Sequence, residues 1–535
     1  MAERATIRRE LHFFNRVLHC FADRPANLHQ KLGQVFKGAP EREVLIDGHR
    51  RLTLGALDAR IEAAAALLWR KGMRAGDRVV IVVPNRAEFV IGLLAALRIG
   101  AVPVPVNVRE AEPEISFILG DCAASGLIYD PGCAAAVEAA GLLDGSIWSI
   151  AIDALFAAPA PASAPAPAQG TVAGMAAGYE PPPARPADTT VCILYTSGTT
   201  GRPKGALLSD LGILHSMLHY ELHLGLGPDD TGLLVVPATH ITGLIGLVMA
   251  TLGAGGKLVM MEQFKTPDFV AVAAAERISY TIMVPAMYNL LLLREPLSGH
   301  RLDAWRIGAY GGSVMPVESI AALVRHLPQL NLVNAYGATE TTSPTSLMPL
   351  GNDPALFNTV GRPVACAEVA IMDDEGRECP RGTVGELWIR GPMVVAGYWN
   401  RPVENATDFI DGFWRSGDIG EMTESGFLRL HDRKKDLVNR GGYKVFSAEV
   451  ESVLLQHGDV LEAAVIGRPD PVLGERVHAF IVSACDGLSP KVLQEFCAHE
   501  LADYKIPESF TLMATALPRN ANGKVLKKHL KELLG

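Results

Sequence analysis

Residues 191–205 read Val-Cys-Ile-Leu-Tyr-Thr-Ser-Gly-Thr-Thr-Gly-Arg-Pro-Lys-Gly, an apolar run that passes into hydroxyl side chains and glycines. This order predicts a buried strand that feeds a tight loop. Glycines let successive backbone N–H groups converge on an anion, while hydroxyls and the Lys204 ammonium add further donors. A polyphosphate fits such a loop, and a solvated turn is the plainer alternative. The residues expected to contact the phosphates are Thr196, Ser197, Gly198, Thr199, Thr200, Gly201 and Lys204.

The loop differs from the common P-loop. That motif, Gly-x-x-x-x-Gly-Lys-Ser/Thr, would require a glycine at position 203 when it is counted from Gly198, and the chain has Pro203 there. The loop by itself therefore indicates an anion, and the rest of the chain has to identify the chemistry.

The composition is that of a large globular protein. With 535 residues the chain should form more than one domain, and its 49% apolar and 20% charged residues suit a large core. The net charge of −9 comes from 49 basic and 58 acidic residues, and no basic cluster is long enough for a nucleic-acid footprint. We therefore expect small-molecule partners and no nucleic acid.

The cysteines and the amino terminus indicate the compartment. Eight scattered cysteines without a Cys-x-x-Cys pair suit a reducing environment, and the first ten residues lack the apolar core of a signal peptide. Two apolar runs, 89–106 and 241–256, are interrupted by Arg98 and by glycines, so we expect buried helices rather than membrane spans. The prediction is a cytoplasmic protein without a transmembrane segment.

Strands alternate with helices along the first two thirds of the chain. Strand 78–84, helix 87–99 and strand 102–106 are one example, and such alternation predicts parallel sheets covered by helices. The Ala/Pro-rich segment 155–187 is expected to be an extended connector. Short alternating strands from residue 361 predict a small antiparallel barrel, and a compact α+β unit follows from 436.

A helix is predicted over 207–224, with His215, His219 and His223 on one face. A metal site is conceivable there. Structural histidines are favoured, because no Cys, Asp or Glu stands in ligand register beside them.

Further motifs stand at wide separations. They are Tyr-Gly-Ala-Thr-Glu-Thr-Thr at 336–342, Trp-Arg-Ser-Gly-Asp at 414–418, Asp-Arg-Lys-Lys-Asp at 432–436, Asn-Arg-Gly-Gly-Tyr-Lys at 439–444 and Pro-Arg-Asn-Ala-Asn-Gly-Lys at 518–524. With 191–205, their order and spacing resemble the acyl-adenylate-forming superfamily, which contains acyl-CoA synthetases, peptide-synthetase adenylation domains and luciferases. The resemblance covers about residues 40–530.

The resemblance implies an α/β fold in two domains. The N-terminal AMP-binding domain, 1–434, would hold two doubly wound α/β subdomains and a small β-barrel. The C-terminal domain, 435–535, would be a small mobile α+β domain. Relatives often have proline where Ser447 stands, so the nearest subfamily stays open.

The resemblance also implies the nucleotide contacts. Thr339 would bond the α-phosphate, and Glu340 would bind Mg²⁺, a hard cation that suits one carboxylate with phosphate oxygens and waters. Asp418 would accept both ribose hydroxyls, with Arg433 on the same ribose. Stacking on a tyrosine ring would hold the base. The residues expected around the adenine are Gly311, Gly312, Asn334, Ala335 and Tyr336.

The same resemblance implies roles for two lysines of the predicted C-terminal domain. Lys524 would bridge the carboxylate of the acid and the α-phosphate of ATP, offsetting their repulsion in the transition state. Lys435 stands where relatives have a hinge, about which the small domain would rotate. Rotation would present the loop with Gly441 and Gly442 to a pantetheine tunnel.

His240 resembles the residue that lines the acyl pocket and gates the carboxylate. Relatives that act on α-amino acids usually carry a Phe-Asp pair in this region, and no Asp occurs over 231–262. The acid is therefore expected to lack an α-ammonium group and to be apolar, either fatty or aryl. Further candidate walls of the pocket are Met283, Ala286, Met287, Tyr288, Gly311 and Thr342.

The resulting interpretation is an ATP-dependent acid–CoA ligase that forms acyl-AMP and pyrophosphate, then acyl-CoA and AMP. The thiol is expected from a separate molecule, since no carrier domain follows Lys524; a carrier protein is the alternative to CoA. Luciferase-like oxidation is a third class. A non-catalytic nucleotide-binding protein is disfavoured, because Lys204, Glu340 and Lys524 are all present. The oligomeric state stays open, with a homodimer as one expectation.

Overall fold

The computed structural model describes residues 5–13, 15–139, 147–157, 185–196, 202–313, 315–485, 487–520 and 523–534. Most of the predicted connector lies outside these ranges. So do five residues of the predicted phosphate-binding loop, called the phosphate loop below, namely Ser197, Gly198, Thr199, Thr200 and Gly201. By its contacts the chain divides into two compact units. The first comprises Met1–Val369 and Ile389–Trp414, and the second comprises Ala370–Trp388 and Arg415–Gly535.

A nine-stranded sheet forms the base of the first unit. Its strands, in spatial order, are Arg362–Pro363, Ser346–Leu347, Asn331–Tyr336, Ile307–Tyr310, Tyr280–Met283, Thr231–Leu234, Lys257–Met260, Glu43–Asp47 and Arg50–Thr53. The strands from Asn331–Tyr336 to Glu43–Asp47 run parallel. Their carboxyl ends therefore meet at one edge, which is where open α/β sheets bind ligands. His240, Gly311 and Thr339 all follow strands at this edge.

A second sheet of the same unit is parallel throughout and consists of Val102–Pro105, Arg78–Val82, Gly126–Tyr129 and Trp148–Ala151. The helix Ala87–Arg98 connects its two first strands along the chain, and ten of its 12 residues are buried. A helix that is apolar on every side belongs in a core. The predicted strand–helix–strand unit is confirmed. Within the described part of the chain, no helix combines the length and apolar character that a membrane span needs.

The first unit also contains a hairpin, helices and short turns outside these two sheets. An antiparallel hairpin, Ile7–His12 with Arg16–Phe21, opens the chain. A π-helix covers Thr242–Met249, and short 3₁₀ turns cover Pro131–Cys133, Leu297–Gly299, Thr339–Thr341 and Pro354–Leu356. The α-helices are Leu28–Phe36, Leu54–Arg70, Ala87–Arg98, Glu112–Asp121, Ala134–Ala139, Ile152–Ala157, Asp210–Leu224, Ala250–Gly253, Thr266–Ala275, Pro285–Arg294, Val317–His326 and Pro402–Asp408.

The segment after the phosphate loop corrects one prediction. Lys204–Ser209 is a strand paired antiparallel with Thr190–Thr196, so the helix expected from 207 begins only at Asp210. The side chain of Ser209 accepts the Gly212 N–H at 3.0 Å and caps the helix. Strand pairing prevailed over the helical pattern, because the apolar residues at 206–208 satisfy either structure.

Two of the three predicted histidines on this helix are engaged in structural hydrogen bonds. His215 Nδ1 donates to the Leu211 carbonyl oxygen at 2.9 Å, and its ring stacks on Phe21. His223 Nε2 donates to the Met348 carbonyl oxygen at 2.8 Å.

Two further five-stranded sheets follow along the chain. The predicted barrel region forms one, with Glu368–Met372, Gly385–Arg390, Phe413–Met422, Phe409–Ile410 and Leu428–Arg433. The second unit contains the other, made of Tyr443–Val445, Val438–Arg440, Gly474–Ser483, Val460–Asp470 and Ser509–Met513. Its helices are Ser447–Leu454, Pro490–Glu500 and Lys527–Glu532, with a 3₁₀ turn at Asp503–Lys505. The α+β character predicted from residue 436 is confirmed.

Candidate active site

Lys204 opens a strand directly after the phosphate loop. That strand pairs with Thr190–Thr196, whose last residue lies opposite Lys204. The lysine side chain is 11% exposed, and its Nζ donates to Asp408 Oδ2 at 3.2 Å. The same nitrogen lies 4.8 Å from the centroid of the Tyr398 ring. The ammonium is thus fixed by a carboxylate and by an aromatic face, whose quadrupole attracts cations.

Glu340 lies in the turn Thr339–Thr341, which follows the strand Asn331–Tyr336. Its Oε1 accepts the Tyr398 hydroxyl at 2.8 Å, and its carbonyl oxygen accepts the Val395 N–H at 2.9 Å. A single half-buried carboxylate close to a lysine is the donor set that Mg²⁺ takes from a protein when phosphate and water supply its other ligands. The residues present therefore fit Mg²⁺.

Tyr398 is a site residue that sequence reasoning missed. A β-bridge to Ala206 places it beside the strand that begins at Lys204. The Asn405 side chain accepts its backbone N–H at 2.7 Å and donates to its carbonyl oxygen at 2.9 Å. Burial and the neighbouring Glu340 carboxylate raise the pKa of its hydroxyl, so the phenol keeps its proton and donates.

The segment around Tyr398 is also held from the amino-terminal hairpin. Arg16 donates to the carbonyl oxygens of Val395 and Ala396, both at 3.1 Å. The sequence Gly-Tyr-Trp-Asn at 397–400 marks a turn. Turn chemistry does not indicate which distant strand the turn will join, and this is why the sequence did not reveal Tyr398.

The five residues predicted around the adenine lie at neighbouring strand ends. Gly311 and Gly312 follow Ile307–Tyr310, which is parallel to Asn331–Tyr336. A Cβ on Gly311 would lie 2.5 Å from the Ala335 carbonyl oxygen, and Gly312 has a φ of +82°. Only glycine permits this close approach together with that backbone angle. Their contact with the base stays a prediction.

His240 lies between the strand Thr231–Leu234 and the π-helix Thr242–Met249. Its Nδ1 accepts the Thr242 N–H at 3.3 Å, and its carbonyl oxygen accepts the Leu244 N–H at 2.8 Å. The imidazole is therefore oriented by the start of the helix. π-Helical segments are rare and occur frequently at functional sites.

Asn85 is a second residue that sequence reasoning missed, and it fixes the loop leading to His240. It is 6% exposed, and its Oδ1 accepts the Ala238 N–H at 2.8 Å. Its amide donates to the carbonyl oxygens of Val236 and Met261, both at 3.0 Å. The only sequence signal was an Asn directly after a predicted buried strand and a proline.

The residues predicted to line the acyl pocket lie in different environments. Tyr288 lies in the core, where its hydroxyl donates to the Ala309 carbonyl oxygen at 2.9 Å and its ring stacks on Trp305. Thr342 is buried with a φ of +49°, and Ala286 is exposed. Tyr288 is therefore better explained by core packing than by acid binding.

Asp418 and Arg433 lie opposite each other in adjacent antiparallel strands of the second unit. Asp418 is 5% exposed, and its Oδ1 lies 2.9 Å from Arg433 Nε. Its backbone N–H donates to Ser416 Oγ at 3.0 Å. The carboxylate is held in one orientation, as an acceptor for two sugar hydroxyls must be.

The other predicted residues of the second unit lie at turns. Lys435 is exposed just after a strand. Gly441 and Gly442, with φ of +58° and +91°, form a two-residue hairpin turn of the type that needs positive φ at both positions. Lys524 is exposed, and its backbone N–H donates to Asn520 Oδ1 at 2.9 Å. Their contacts with substrates stay predictions.

The sequence model of the AMP-binding enzyme family matches residues 33–399. The chain belongs to this family. The model of the AMP-binding enzyme C-terminal domain matches residues 449–524, so the family's small domain is present as well.

Individual relatives match this AMP-binding enzyme over nearly its whole length. The long-chain-fatty-acid–CoA ligase FadD13 of Mycobacterium tuberculosis is 32% identical over 486 residues, 90% of this chain and 93% of that protein. Feruloyl-CoA synthase of Amycolatopsis sp. is 31% identical over 501 residues, 93% of this chain and 97% of that protein. The structure of o-succinylbenzoate CoA synthetase (MenE) from Bacillus subtilis with ATP and a magnesium ion is similar with a TM-score of 0.81 and 29% identity, covering 94% and 99% of the two chains.

These similarities confirm four predictions. The family and the fold class are as expected, with a large N-terminal and a small C-terminal domain in a mixed α/β chain. The protein is an AMP-forming acid–thiol ligase of the acyl-CoA synthetase type. Its chemistry uses ATP, Mg²⁺ and CoA. Which side chains touch these molecules in this AMP-binding enzyme stays a prediction.

Proposed function

We propose that this AMP-binding enzyme joins an apolar fatty or aryl acid without an α-amino group to CoA. The main support for the proposal is that Lys204 and Glu340 both contact Tyr398. The lysine nitrogen lies 4.8 Å from the centroid of the tyrosine ring, and the glutamate accepts the tyrosine hydroxyl at 2.8 Å. A cation for the leaving phosphates and a carboxylate for Mg²⁺ therefore share one anchoring side chain.

In the first half-reaction a carboxylate oxygen of the acid attacks the α-phosphorus of ATP, and pyrophosphate leaves. Lys204, with the hydroxyl-rich loop before it, would hold the β- and γ-phosphates. Thr339 would bond the α-phosphate, and Lys524 would bridge it to the incoming carboxylate. Bound Mg²⁺ neutralises charge on the phosphate oxygens. Positive charge would then lie on both sides of the phosphorus–oxygen bond that breaks and the one that forms.

In the second half-reaction the CoA thiolate attacks the carbonyl carbon of acyl-AMP. A C–S bond forms, the C–O bond to the phosphate breaks, and AMP leaves. We propose that the segment 435–535 rotates about Lys435 between the two steps, which would withdraw Lys524 and present Gly441 and Gly442. One acyl site would then serve two reactions with different needs.

The proposed acid class is supported by the segment 231–262. It contains no Asp that could pair with an α-ammonium group, and the π-helix Thr242–Met249 that follows His240 is apolar and buried almost throughout. An apolar lining with few polar groups suits an apolar ligand. The names of two relatives, a long-chain fatty acid ligase and a feruloyl-CoA synthase, point to the same two classes.

The first experiment measures pyrophosphate release with a panel of fatty, aryl and α-amino acids. We expect release with apolar acids and none above background with α-amino acids. The variant Lys524→Ala should lose roughly 10²–10³-fold in rate, the cost of removing one preorganised donor. Equal release from the variant would contradict the role of Lys524, and release with α-amino acids would contradict the acid class.

A second experiment separates CoA from a carrier protein as the acceptor. Enzyme, ATP and the preferred acid are incubated with CoA, and the loss of free thiol is followed. We expect thiol loss that matches pyrophosphate release. Acyl-AMP that accumulates while the thiol persists would exclude CoA as the acceptor and leave a carrier protein as the alternative.

We also propose that the enzyme is cytoplasmic and forms a homodimer. The cytoplasmic location is supported by the eight cysteines, all of which are free thiols. Cell fractionation should place the enzyme with cytoplasmic markers. Sedimentation velocity should give a species of twice the 57.2 kDa chain mass, and a monomer at micromolar concentration would contradict the dimer.

A further inference from the structure

Lys524 lies where residues 518–520 and 523–526 run antiparallel, here called the hairpin, with a bridge between Arg519 and Val525. The Asn520 N–H donates to the Lys524 carbonyl oxygen at 2.9 Å, and the Lys524 N–H donates to Asn520 Oδ1 at the same distance. Gly523, directly before Lys524, has a φ of +81°. Arg519, at the base of the hairpin, pairs with Glu462 at 2.6 Å. The entering side of the hairpin is thus tied to the strand Val460–Asp470 of the same unit.

The leaving side of this hairpin is tied through Lys527. Its Nζ donates to Ser447 Oγ at 2.7 Å and pairs with Glu451 Oε1 at 2.7 Å. Its side chain is 18% exposed, so the ammonium is mostly withdrawn from water. Glu451 Oε1 also accepts the Val465 N–H at 2.8 Å. A charged group held by two acceptors in a partly buried site has little freedom to move.

Ser447 extends the same network. It is fully buried, its Oγ donates to Asp432 Oδ1 at 3.1 Å, and its backbone N–H donates to Asp432 Oδ2. The hydroxyl therefore donates to one charged group and accepts from another. The link from Asp432 to Lys527 therefore passes through the Ser447 hydroxyl.

We propose that Lys527 is a positioning residue for the adenylation half-reaction. Its bonds to Ser447 and Glu451 hold the hairpin that presents Lys524, three residues earlier in the chain. This rests on the proposed function, in which Lys524 acts in adenylation and is withdrawn for thioester formation. Loss of the anchor therefore affects one half-reaction and spares the other.

The experiment compares Lys527→Ala with Lys528→Ala, which removes an exposed neighbouring lysine, and with Lys527→Arg. Pyrophosphate release and thioester formation from supplied acyl-AMP are measured separately. We expect the first rate of Lys527→Ala to fall roughly 10–10²-fold, since a displacement of about 1 Å costs about that much. The KM for ATP and the second rate should stay within about twofold of the parent. Lys528→Ala should match the parent, and Lys527→Arg should restore most of the rate.

The outcomes are distinguishable. If Lys524→Ala abolishes adenylation while Lys527→Ala behaves like Lys528→Ala, the inference is wrong and the proposed function stands. If Lys524→Ala retains adenylation, the role that the proposed function gives to Lys524 is wrong, and the inference about Lys527 falls with it. Equal losses in both half-reactions would show a general structural role and overturn the inference. Ser447→Ala, a smaller change in the same network, should give a weaker loss of adenylation alone, and it serves if Lys527→Ala does not fold.

Discussion

Tyr398 shows how one side chain organises two charges. It donates to Glu340 Oε1, and its ring lies beside the Lys204 ammonium. The two polar groups were predicted from their motifs, because each motif carries its own chemistry. Tyr398 and Asn85 could not be predicted, since their partners lie far away in the chain and are set by strand register and loop contacts. Sequence reasoning therefore identified the candidate groups and missed the residues that contact and orient them.

The variant Tyr398→Phe tests this arrangement. It keeps the ring beside Lys204 and removes the hydrogen bond to Glu340, so the carboxylate loses one orienting partner. We expect the KM for MgATP to rise roughly tenfold, the cost of about one charge-assisted hydrogen bond. Pyrophosphate release at varied MgATP measures it. Tyr443→Phe, at an exposed tyrosine, is the control. An unchanged KM would mean that Glu340 needs no such support.

Asp210, at the start of the helix Asp210–Leu224, makes stability depend on pH. Burial raises the pKa of its carboxyl to about 6, although its Oδ1 accepts the Leu28 N–H at 2.9 Å. An unfolded Asp titrates near 3.9, so the native state binds the proton more tightly. The contribution of Asp210 to the free energy of unfolding should therefore fall as the pH rises from about 4 to about 6 and stay level above that range.

The variant Asp210→Asn should remove this dependence. We expect it to be more stable than the parent by roughly 2 kcal/mol at pH 7.5 and about equal to it at pH 4, because only the ionised carboxylate is penalised by burial. Urea unfolding at both pH values measures the difference. Asp229→Asn, at an exposed position, is the control. Parallel pH profiles for parent and Asp210→Asn would refute the prediction.

At the scale of elements, the parallel strands bring their following loops to one edge of the large sheet. The alternation of strands and helices predicted this edge, because parallel strands connected by helices leave their carboxyl ends together. The element after the phosphate loop was mispredicted. Residues 204–209 pair antiparallel with Thr190–Thr196. The local sequence pattern cannot distinguish a strand that pairs in this way from the first turn of a helix.

Gly311→Ala tests the closeness of two strand ends. The added Cβ would lie 2.5 Å from the Ala335 carbonyl oxygen, a backbone atom that cannot yield without moving a strand. We expect the affinity for AMP to fall at least about tenfold, as the proposed adenine site widens. Calorimetric titration with AMP measures it. Gly299→Ala, where a Cβ meets nothing within 4 Å, should bind as the parent does. Full affinity in Gly311→Ala would place the adenine elsewhere.

At the scale of the whole molecule, two chemically different steps are proposed to share one acyl site. Sharing one site requires that the residues acting in the first step move away before the residues acting in the second step approach the acyl group. Family patterns in the sequence predicted the parts of this cycle. The hinge at Lys435 and the boundary between 434 and 435 remain proposals, since a hinge is defined by the two states that it connects.

Lys435→Pro tests the hinge. Proline fixes φ near −65° and restricts the residue before it, so rotation about this position should be hindered. We expect adenylation to stay within about threefold of the parent and thioester formation from supplied acyl-AMP to fall roughly a hundredfold, about 2.7 kcal/mol in activation free energy. Lys434→Pro is unsuitable as a control, because the neighbouring peptide also changes; Lys435→Ala serves. No effect on either half-reaction would refute the hinge.

The bonds from Arg16 to the carbonyl oxygens of Val395 and Ala396 have a practical consequence. The family match starts at residue 33, and a chain shortened to that point would look complete by similarity. It would lack the arginine that holds the segment ahead of Tyr398, and two carbonyl groups would be left to solvent. The range that the family model matches therefore leaves out a residue that helps to position Tyr398.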